Sequence, residues 1–155
     1  MDVSSIMSAD PLRITTDTPV ATARKLMDDE DIRHLPVVDR GRLVGVVSDR
    51  DLYPNEKEIA LDPDAACSTR TIAELLKGNL TTVSPEDTVV TASVEFVMHK
   101  ICCLPVVKDE KLVGILSELD MLVAFARSWR DGLLDPDADQ PPIGDLMSTH
   151  PLAAR

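Results

Sequence analysis

Two serine–aspartate pairs with the same spacing are the residues of this chain best suited to chemistry. Ser48 and Asp51 stand three residues apart, and the pattern returns at Ser117 and Asp120. A serine followed by an acidic residue three positions later is typical of a capping box, whose side chains bond the backbone N–H groups at a helix start. Exposed N–H groups at a helix start also attract anions. The pairs therefore indicate two structural caps, two binding sites, or both.

Cationic side chains accompany only the first pair. The first copy carries two arginines and a histidine where the second carries two cysteines and a leucine: Arg33, His34 and Arg50 against Cys102, Cys103 and Leu119. One competent anion site and one weak or empty site are therefore expected, and the sequence leaves open which of the two receives Arg33 or His34. The alternatives are an ordinary imidazole for His34, a solvated helix residue for Arg50 and small packing groups for the cysteines.

The serine–aspartate pairs belong to a longer repeat with an offset of 69 residues. Residues 35–38 (Leu-Pro-Val-Val) return as 104–107, and segment 45–51 returns as 114–120. One such unit is too small to bury a full core, so two copies are expected to pack face to face around an approximate two-fold axis. Matched clefts would then lie between them.

Each copy has a helical pattern after a short predicted strand, which in the first copy is residues 12–15. Thr18 and Pro19 predict an N-cap followed by the first helical residue, and Asp87 takes the cap position in the second copy. Apolar residues at spacings of three and four then mark one helix face in each copy. These residues are Val20, Ala23 and Met27 in the first copy and Val89, Ala92 and Phe96 in the second.

A hairpin and a further helix complete each copy. Two β-branched runs separated by a short polar turn predict the hairpin, with turns around 39–41 and 108–110. Ser48 and Ser117 then each open another helix. The predicted order in each copy is therefore strand, helix, strand, strand, helix.

The repeated stretch resembles the CBS domain, a family named after cystathionine β-synthase. Leu-Pro-Val-Val, a short turn and Leu-Val-Gly-Val-Val-Ser-x-x-Asp form its most recognisable segment, which occurs here twice in similar form. The resemblance covers residues 3–53 and 72–127, and the layout is similar to small stand-alone bacterial and archaeal CBS-pair proteins. It implies an α/β (α+β) fold of two β-α-β-β-α repeats, packed with pseudo-two-fold symmetry into one Bateman module.

The resemblance implies regulatory binding of an adenosyl compound between the repeats, of the AMP, ADP, ATP, S-adenosylmethionine or NAD class. In the family motif the serine lies close to phosphate and the aspartate bonds the ribose hydroxyls. These roles fall to Ser48 and Asp51, and to Ser117 and Asp120. A carboxylate can accept from both ribose hydroxyls, so the assignment is chemically reasonable. His34 stands where family members often direct a side chain at phosphate.

The first predicted strand is the candidate adenine contact by the same analogy. It offers Pro11, Leu12 and Ile14, although any strand would carry such residues. The ligand is expected to be a regulator, and no cofactor is required.

The repeats divide the chain into three predicted segments. The first domain spans 3–62, the second spans 70–130, and an acidic, proline-containing tail spans 131–155. Residues 72–76 match 3–7 at the same offset, so each repeat has its own lead-in. Residues 143–151 echo 3–11 as a third lead-in. This segment is either the start of a truncated copy or a piece that docks where a lead-in docks.

Composition disfavours several classes of function. A net charge of −11 and 3% aromatic residues argue against binding a nucleic-acid backbone. Three cysteines, two of them adjacent, form no disulfide framework, which predicts a reducing cytoplasm. The N-terminus is neither basic nor apolar, unlike a signal peptide, and the longest apolar run (121–126) is too short for a bilayer. We therefore expect a soluble cytoplasmic protein without membrane contact.

An enzyme is not expected. No supported nucleophile pair or phosphate-cradling glycine loop occurs, and His34, His99 and His150 lack metal-ligand spacing. The leading hypothesis is a ligand sensor that signals to an unidentified regulated protein.

The alternative function is a structural or protein-interaction module with vestigial clefts. In either case we expect a homodimer. Leu122, Phe125 and Trp129 fall at helical spacing and form either its contact or a core stripe.

Overall fold

The computed structural model describes residues 1–53, 70–76, 78 and 80–133, and these follow the repeat plan. The described strands and longer helices are β1 (Ser8–Ala9), α1 (Val20–Asp29), β2 (His34–Asp39), β3 (Arg42–Ser48), α2 (Val89–His99), β4 (Cys103–Lys108), β5 (Lys111–Ser117) and α3 (Glu118–Arg130). Short 3₁₀ helices cover Val3–Ser5, Asp49–Leu52 and Ile72–Glu74. The fold is α+β, as predicted.

The two predicted hairpins are present with equivalent registers. β2 pairs antiparallel with β3, and β4 pairs antiparallel with β5. Each ladder shifts register once, between Val37 and Val38 and between Val106 and Val107. The predicted strand at 12–15 is reduced to one parallel bridge between Ile14 and Val37.

Left-handed turn residues close both hairpins. Arg40 and Gly41 have φ of 47° and 81°, and Asp109 and Glu110 have φ of 49° and 61°. Two consecutive positive φ values give the turn twist that matches a right-handed strand pair. Only the first turn has a glycine, so the second holds two L residues in a disfavoured conformation.

The predicted helix faces are confirmed. Ala23 and Met27 of α1 are buried, as are Ala92 and Phe96 of α2. Each helix packs against the hairpin of its own copy, which gives two apolar clusters. The first contains Ile14, Ala23, Met27, Leu35, Val37, Val47, Leu52 and Ile72, and the second contains Val3, Val83, Ala92, Phe96, Leu104, Val106 and Leu116.

The predicted N-caps are wrong by one residue. Pro19 is the N-cap of α1 and Thr88 is the N-cap of α2. The hydroxyl of Thr18 accepts from the Thr15 backbone N–H at 3.1 Å, so this side chain closes the preceding turn instead. In the second copy, Asp87 Oδ2 accepts from the Ser84 backbone N–H at 2.7 Å and closes the equivalent turn.

The first lead-in packs on the second repeat. β1 forms an antiparallel pair with β5. Val3 is fully buried in the second apolar cluster, and Ile6 and Met7 pack against that cluster. The Val3 backbone N–H donates to the Asp87 carbonyl oxygen at 2.8 Å. Residues 3–9 therefore complete the core and the sheet of repeat 2.

The second lead-in makes the reciprocal contact with the first repeat. Ile72 is fully buried in the first apolar cluster, and Leu76 packs against it. The Ile72 backbone N–H donates to the Thr18 carbonyl oxygen at 3.0 Å. The sequence offset shows that the lead-ins are equivalent, but it does not show which surface each covers. Each lead-in in fact serves the other repeat.

Glycines on the hairpins allow this close approach. A Cβ at Gly45 would stand 2.6 Å from Leu76 Cδ2, and one at Gly114 would collide with the Met7 side chain. Gly114 is also where β1 lies against β5. A larger residue at either position would push a lead-in away from the repeat that it covers.

Both ends of the connector between the repeats are held by α1. The Arg24 guanidinium donates to the Leu52 carbonyl oxygen and lies 4.5 Å from the centre of the Tyr53 ring. At the other end, the Val20 backbone N–H donates to the Arg70 carbonyl oxygen at 3.0 Å. The connector residues 54–69 themselves lie outside the described residues.

The chain forms two compact units, Met1–Met121 and Leu122–Arg155. The first holds both hairpins, both lead-ins, α1 and α2. The second begins within α3, where Phe125 and Trp129 have ring centres 6.3 Å apart. Most of the predicted tail, including the third lead-in at 143–151, lies outside the described residues. Among the helices described, none has the length and apolar character to cross a bilayer.

Gly114→Ala tests the contact between the first lead-in and repeat 2. We expect the free energy of unfolding to fall by about 1–3 kcal/mol, because the added methyl meets Met7 and would lie 3.2 Å from the Ser8 carbonyl oxygen. Gly78→Ala is the matched control, since nothing lies within 4 Å of its Cβ position. Chemical denaturation of both variants measures the difference.

A second variant separates this contact from a local effect on β5. Met7→Ala removes the side chain that the new methyl would meet, so Met7→Ala and Gly114→Ala should be less than additive by about 0.5 kcal/mol or more. Strictly additive losses would show that Met7 does not pack on Gly114.

Candidate functional site

The first serine–aspartate pair lies where β3 ends and the 3₁₀ helix at Asp49–Leu52 begins. Ser48 is the N-cap, and the pair forms a capping box. Asp51 Oδ2 accepts from the Ser48 backbone N–H at 3.0 Å and from Ser48 Oγ at 2.6 Å. Both residues are half-buried. The structural role is confirmed for this pair, and ligand contact stays a prediction.

The second pair has the same geometry at the start of α3. Asp120 Oδ2 accepts from the Ser117 backbone N–H at 2.8 Å and from Ser117 Oγ at 2.6 Å. The Asp120 backbone N–H donates to Ser117 Oγ at 3.3 Å. Within the described part of the chain, no hydrogen bond reaches Asp120 Oδ1. That oxygen can therefore accept from a small-molecule hydroxyl while the cap stays closed.

His34 lies beside the first pair. It opens β2 and stands directly opposite Ser48 in the β2–β3 register. The side chain is half-buried, and burial lowers the pKa of His34 below its usual 6.5, although the carboxylates of Asp49 and Asp51 act in the opposite direction. The imidazole is therefore neutral at pH 7 and can accept a hydrogen bond at one nitrogen and donate one at the other.

Arg33 and Arg50 lie at the same end of the first hairpin. Both are exposed, and the Arg33 carbonyl oxygen accepts from the Asp49 backbone N–H at 2.9 Å. The charge of Arg50 also acts to lower the pKa of the Cys102 thiol in the second repeat. Burial and Glu118 act more strongly, so the pKa of that thiol is raised overall. Arg33, His34 and Arg50 thus lie at the same hairpin end as Ser48 and Asp51.

The equivalent end of repeat 2 offers no cation at the matching positions. Cys103 takes the place of His34 opposite Ser117, and burial raises the pKa of its thiol to about 12. Cys102 takes the place of Arg33 and is exposed. At neutral pH both thiols are uncharged. The two ends therefore share a backbone geometry but differ in electrostatics.

A shallow cavity of about 240 Å³ lies at the turn end of the hairpins. It is lined by Arg42, Leu43, Leu80, Thr82, Val107 and Glu110. Arg42 and Glu110 form an ion pair of 3.1 Å that joins the two repeats. None of the residues predicted from sequence lines this cavity.

Part of the cavity lining could have been predicted from the 69-residue offset between the repeats. Leu80 is the repeat-2 equivalent of Pro11, and Val107 is the equivalent of Val38. The predicted adenine contacts were confined to the first copy of this strand, whereas the cavity is lined by residues from its second copy. Contributions from Arg42 and Leu43 could not be foreseen, because they depend on how the two hairpins are placed together.

The predicted adenine contacts differ in burial. Ile14 is buried in the first apolar cluster, Pro11 is half-buried and Leu12 is exposed. Their contact with a ligand stays a prediction. In the described part of the chain, no three His, Cys, Asp or Glu side chains are grouped to hold a metal ion.

Comparison with known proteins agrees with the repeat plan. The CBS domain family model matches residues 3–54 and 72–127. A curated relative, homoserine O-acetyltransferase of Methanococcoides burtonii, is 31% identical over 121 residues. The match covers 77% of this chain but only 23% of that enzyme, so the chain spans about a quarter of its relative's length.

Two solved structures are similar in fold. The CBS domain pair of protein MJ0100, in complex with 5′-methylthioadenosine and S-adenosyl-L-methionine, is 25% identical with a TM-score of 0.70, covering 83% of this chain and 98% of that one. CBSX2 of Arabidopsis thaliana, in complex with AMP, is 26% identical with a TM-score of 0.70 and the same coverages. The similarity therefore extends over both repeats.

The lowered pKa of His34 predicts a pH dependence of stability. Between pH 6.5 and its lower folded pKa, His34 binds a proton in the unfolded chain but not in the native one. The free energy of unfolding should therefore fall as pH drops through this window. His34→Gln should remove that part of the dependence. Denaturation between about pH 8 and about pH 5.5 measures it, and parallel curves for both proteins would contradict it.

Proposed function

The chain belongs to the CBS domain family, and from this we propose that its paired repeats form a regulatory module that binds an adenosyl ligand between them. The observation that carries the proposal is the pair of half-buried serine–aspartate motifs, held in the same geometry at both hairpin ends. The AMP complex of CBSX2 and the adenosyl complexes of the MJ0100 pair support the ligand class.

The first motif is the preferred phosphate site. Arg33 and Arg50 supply positive charge at the hairpin end that holds Ser48 and Asp51, and the neutral His34 offers a hydrogen-bond donor, whereas repeat 2 has two neutral thiols and a leucine at these positions. Because the chain carries a net charge of −11, an anion needs a local cationic cluster to offset the general repulsion. We therefore assign one phosphate-bearing nucleotide per chain, with the second motif suited to a neutral or cationic adenosyl compound.

Ligand binding rearranges the hydrogen bonds of the capping box. Without ligand, the single hydroxyl proton of Ser48 is donated to Asp51 at 2.6 Å. If Ser48 Oγ donated its hydrogen bond to a phosphate oxygen instead, the capping box would lose one of its hydrogen bonds. A ribose hydroxyl that donates to Asp51 would compensate for this loss. Binding thus exchanges bonds within the chain for bonds to the ligand at the point where β3 becomes a helix.

Signalling requires the ligand to favour one arrangement of the repeats over another. The reciprocal lead-ins supply a connection, because each repeat contributes buried residues to the core of the other. We assign the chain a regulatory role rather than a catalytic one, acting on an unidentified partner protein. The free thiols Cys102 and Cys103 fit a reducing compartment such as the cytoplasm.

Pairing of two copies is a second candidate function. Leu122, Phe125 and Trp129 of α3 are exposed, in keeping with the expected contact surface. We propose that the chain forms a homodimer, either in addition to ligand binding or as its sole use. A dimer without affinity for any adenosyl compound would favour the structural role.

Asp51→Asn tests the ribose contact. The amide loses the charge that strengthens hydrogen bonds from two hydroxyls, so AMP affinity should fall by about 10- to 100-fold. Asp49→Asn is the matched control, because Asp49 carries the same charge two residues away but stands outside the capping box. Calorimetry with AMP and S-adenosylmethionine provides the measurement. If the folded wild-type chain bound neither compound, the sensor proposal would be wrong.

Loss of the arginines tests the phosphate assignment. Arg33→Gln with Arg50→Gln should weaken AMP by about tenfold or more, yet leave 5′-methylthioadenosine within about twofold, because only AMP carries an anionic group. Calorimetry with both compounds gives the ratio and the stoichiometry. Equal losses for the two compounds would contradict a phosphate contact at repeat 1.

A further inference from the structure

Arg24 of α1 carries a buried nitrogen that has no hydrogen-bond acceptor among the described residues. This atom is Nε. A terminal nitrogen of the same guanidinium donates to the Leu52 carbonyl oxygen, and the group lies 4.5 Å from the centre of the Tyr53 ring. A buried donor without an acceptor is destabilising, so packing alone does not explain an arginine at this position. The bond to Leu52 is therefore the feature to be explained.

The carbonyl group that Arg24 holds ends the short helix that carries the first motif. Ser48 is the N-cap of the 3₁₀ helix Asp49–Leu52, and Tyr53 is extended with φ of −92° and ψ of 136°. The last carbonyl groups of a helix have no partner within that helix. Arg24 supplies a charged donor to one of them, and the residue that carries this carbonyl directly follows Asp51 in the chain.

Repeat 2 has a serine at the equivalent position. The offset of 69 residues aligns Ser93 with Arg24, and the single hydroxyl proton of Ser93 is donated to the Val89 carbonyl oxygen of its own helix at 2.8 Å. The second motif also opens a longer helix, Glu118–Arg130, whose backbone hydrogen bonds hold its first turns. A helix of four residues has few such bonds, so the first motif depends more on contacts from other elements.

Contacts from other elements fix both ends of the short helix. At the far end, the Leu52 side chain is 2% exposed within the first apolar cluster, and its carbonyl oxygen is bonded to Arg24. At the near end, the Asp49 backbone N–H donates to the Arg33 carbonyl oxygen at 2.9 Å. Asp51 lies between these two ends, so the direction of its carboxylate depends on both.

We propose that Arg24 is a positioning residue for the first motif, which keeps Asp51 oriented toward a ribose before the ligand binds. The inference rests on the proposed adenosyl site and names a residue that makes this site rigid. A group that is ordered in advance does not have to be ordered by the ligand, and this raises affinity. Because Arg24 acts through the backbone of the short helix, it contributes equally to the binding of charged and neutral adenosyl compounds.

Arg24→Met tests this role, because methionine keeps an apolar stem and removes the guanidinium. The titrations use an Asp120→Asn background, in which the second motif lacks its carboxylate. Calorimetry should show AMP and 5′-methylthioadenosine both weakened by about three- to tenfold. Arg24→Lys keeps a charged donor and should recover part of both affinities. Lys25→Met is the matched control, since it removes the same charge from the next residue of α1 and should leave both affinities within about twofold.

Hydrogen exchange of the ligand-free full chain tests the mechanism directly. In Arg24→Met, the backbone amides of residues 49–53 should exchange faster than in the wild type, whereas those of residues 118–122 should be unchanged. Faster exchange at both motifs alike would show a general loss of stability and contradict the positioning role. Tyr53→Leu removes the ring beside the guanidinium and should shift affinity and exchange in the same direction by less. This variant keeps the test decisive if Arg24→Met does not fold.

The outcomes separate this inference from the function on which it rests. A folded wild-type chain that binds neither compound would overturn the sensor proposal and this inference with it. If the wild type binds but the Asp120→Asn chain does not, or if Arg24→Met leaves both affinities within about twofold, only the inference is overturned.

Two further results would also overturn the positioning role. Weaker AMP with unchanged 5′-methylthioadenosine would show that Arg24 contacts the phosphate. An equal loss of affinity in Lys25→Met would show a general effect of charge on α1.

Discussion

The reciprocal burial of the lead-ins is the constraint on which the rest of the molecule depends. Val3 completes the core of repeat 2, and Ile72 completes the core of repeat 1. Removing either would leave an apolar gap and unpaired backbone groups in the other half. Neither repeat is thus a self-sufficient folding unit, although each has its own helix and hairpin. The position of one motif relative to the other is fixed by the same contacts that make the cores.

The two repeats share a backbone geometry but differ in the side chains that they carry. The capping boxes at Ser48 and Ser117 agree within 0.2 Å in their equivalent bonds. Around them, His34 is replaced by a thiol whose pKa is about 12. The two repeats therefore share the groups that hold the fold and differ in the side chains beside the capping boxes. The exposed helix surfaces differ as well, since the Lys25–Asp29 ion pair of α1 is replaced in α2 by Val94 and Met98.

Local features of the fold could be predicted from sequence, and long-range ones could not. The helix stripes through Ala23 and Ala92 and both hairpins follow from periodicity. The N-caps predicted at Thr18 and Asp87 were wrong, because short polar side chains close turns as readily as they cap helices. The lead-in exchange and the cavity beside Arg42 were missed because equivalence along a chain carries no information about which surfaces meet. For the candidate site, sequence indicated the residues of the first motif, and the structure showed that they lie together.

The anchoring of the connector on α1 has a consequence for engineering. The carbonyl oxygens of Leu52 and Arg70 both accept hydrogen bonds from α1, so the connector begins and ends beside the same helix. One helix therefore fixes the separation between the points at which the connector leaves and rejoins the described chain. A reporter domain grafted between Leu52 and Arg70 would therefore begin and end beside the same helix of repeat 1.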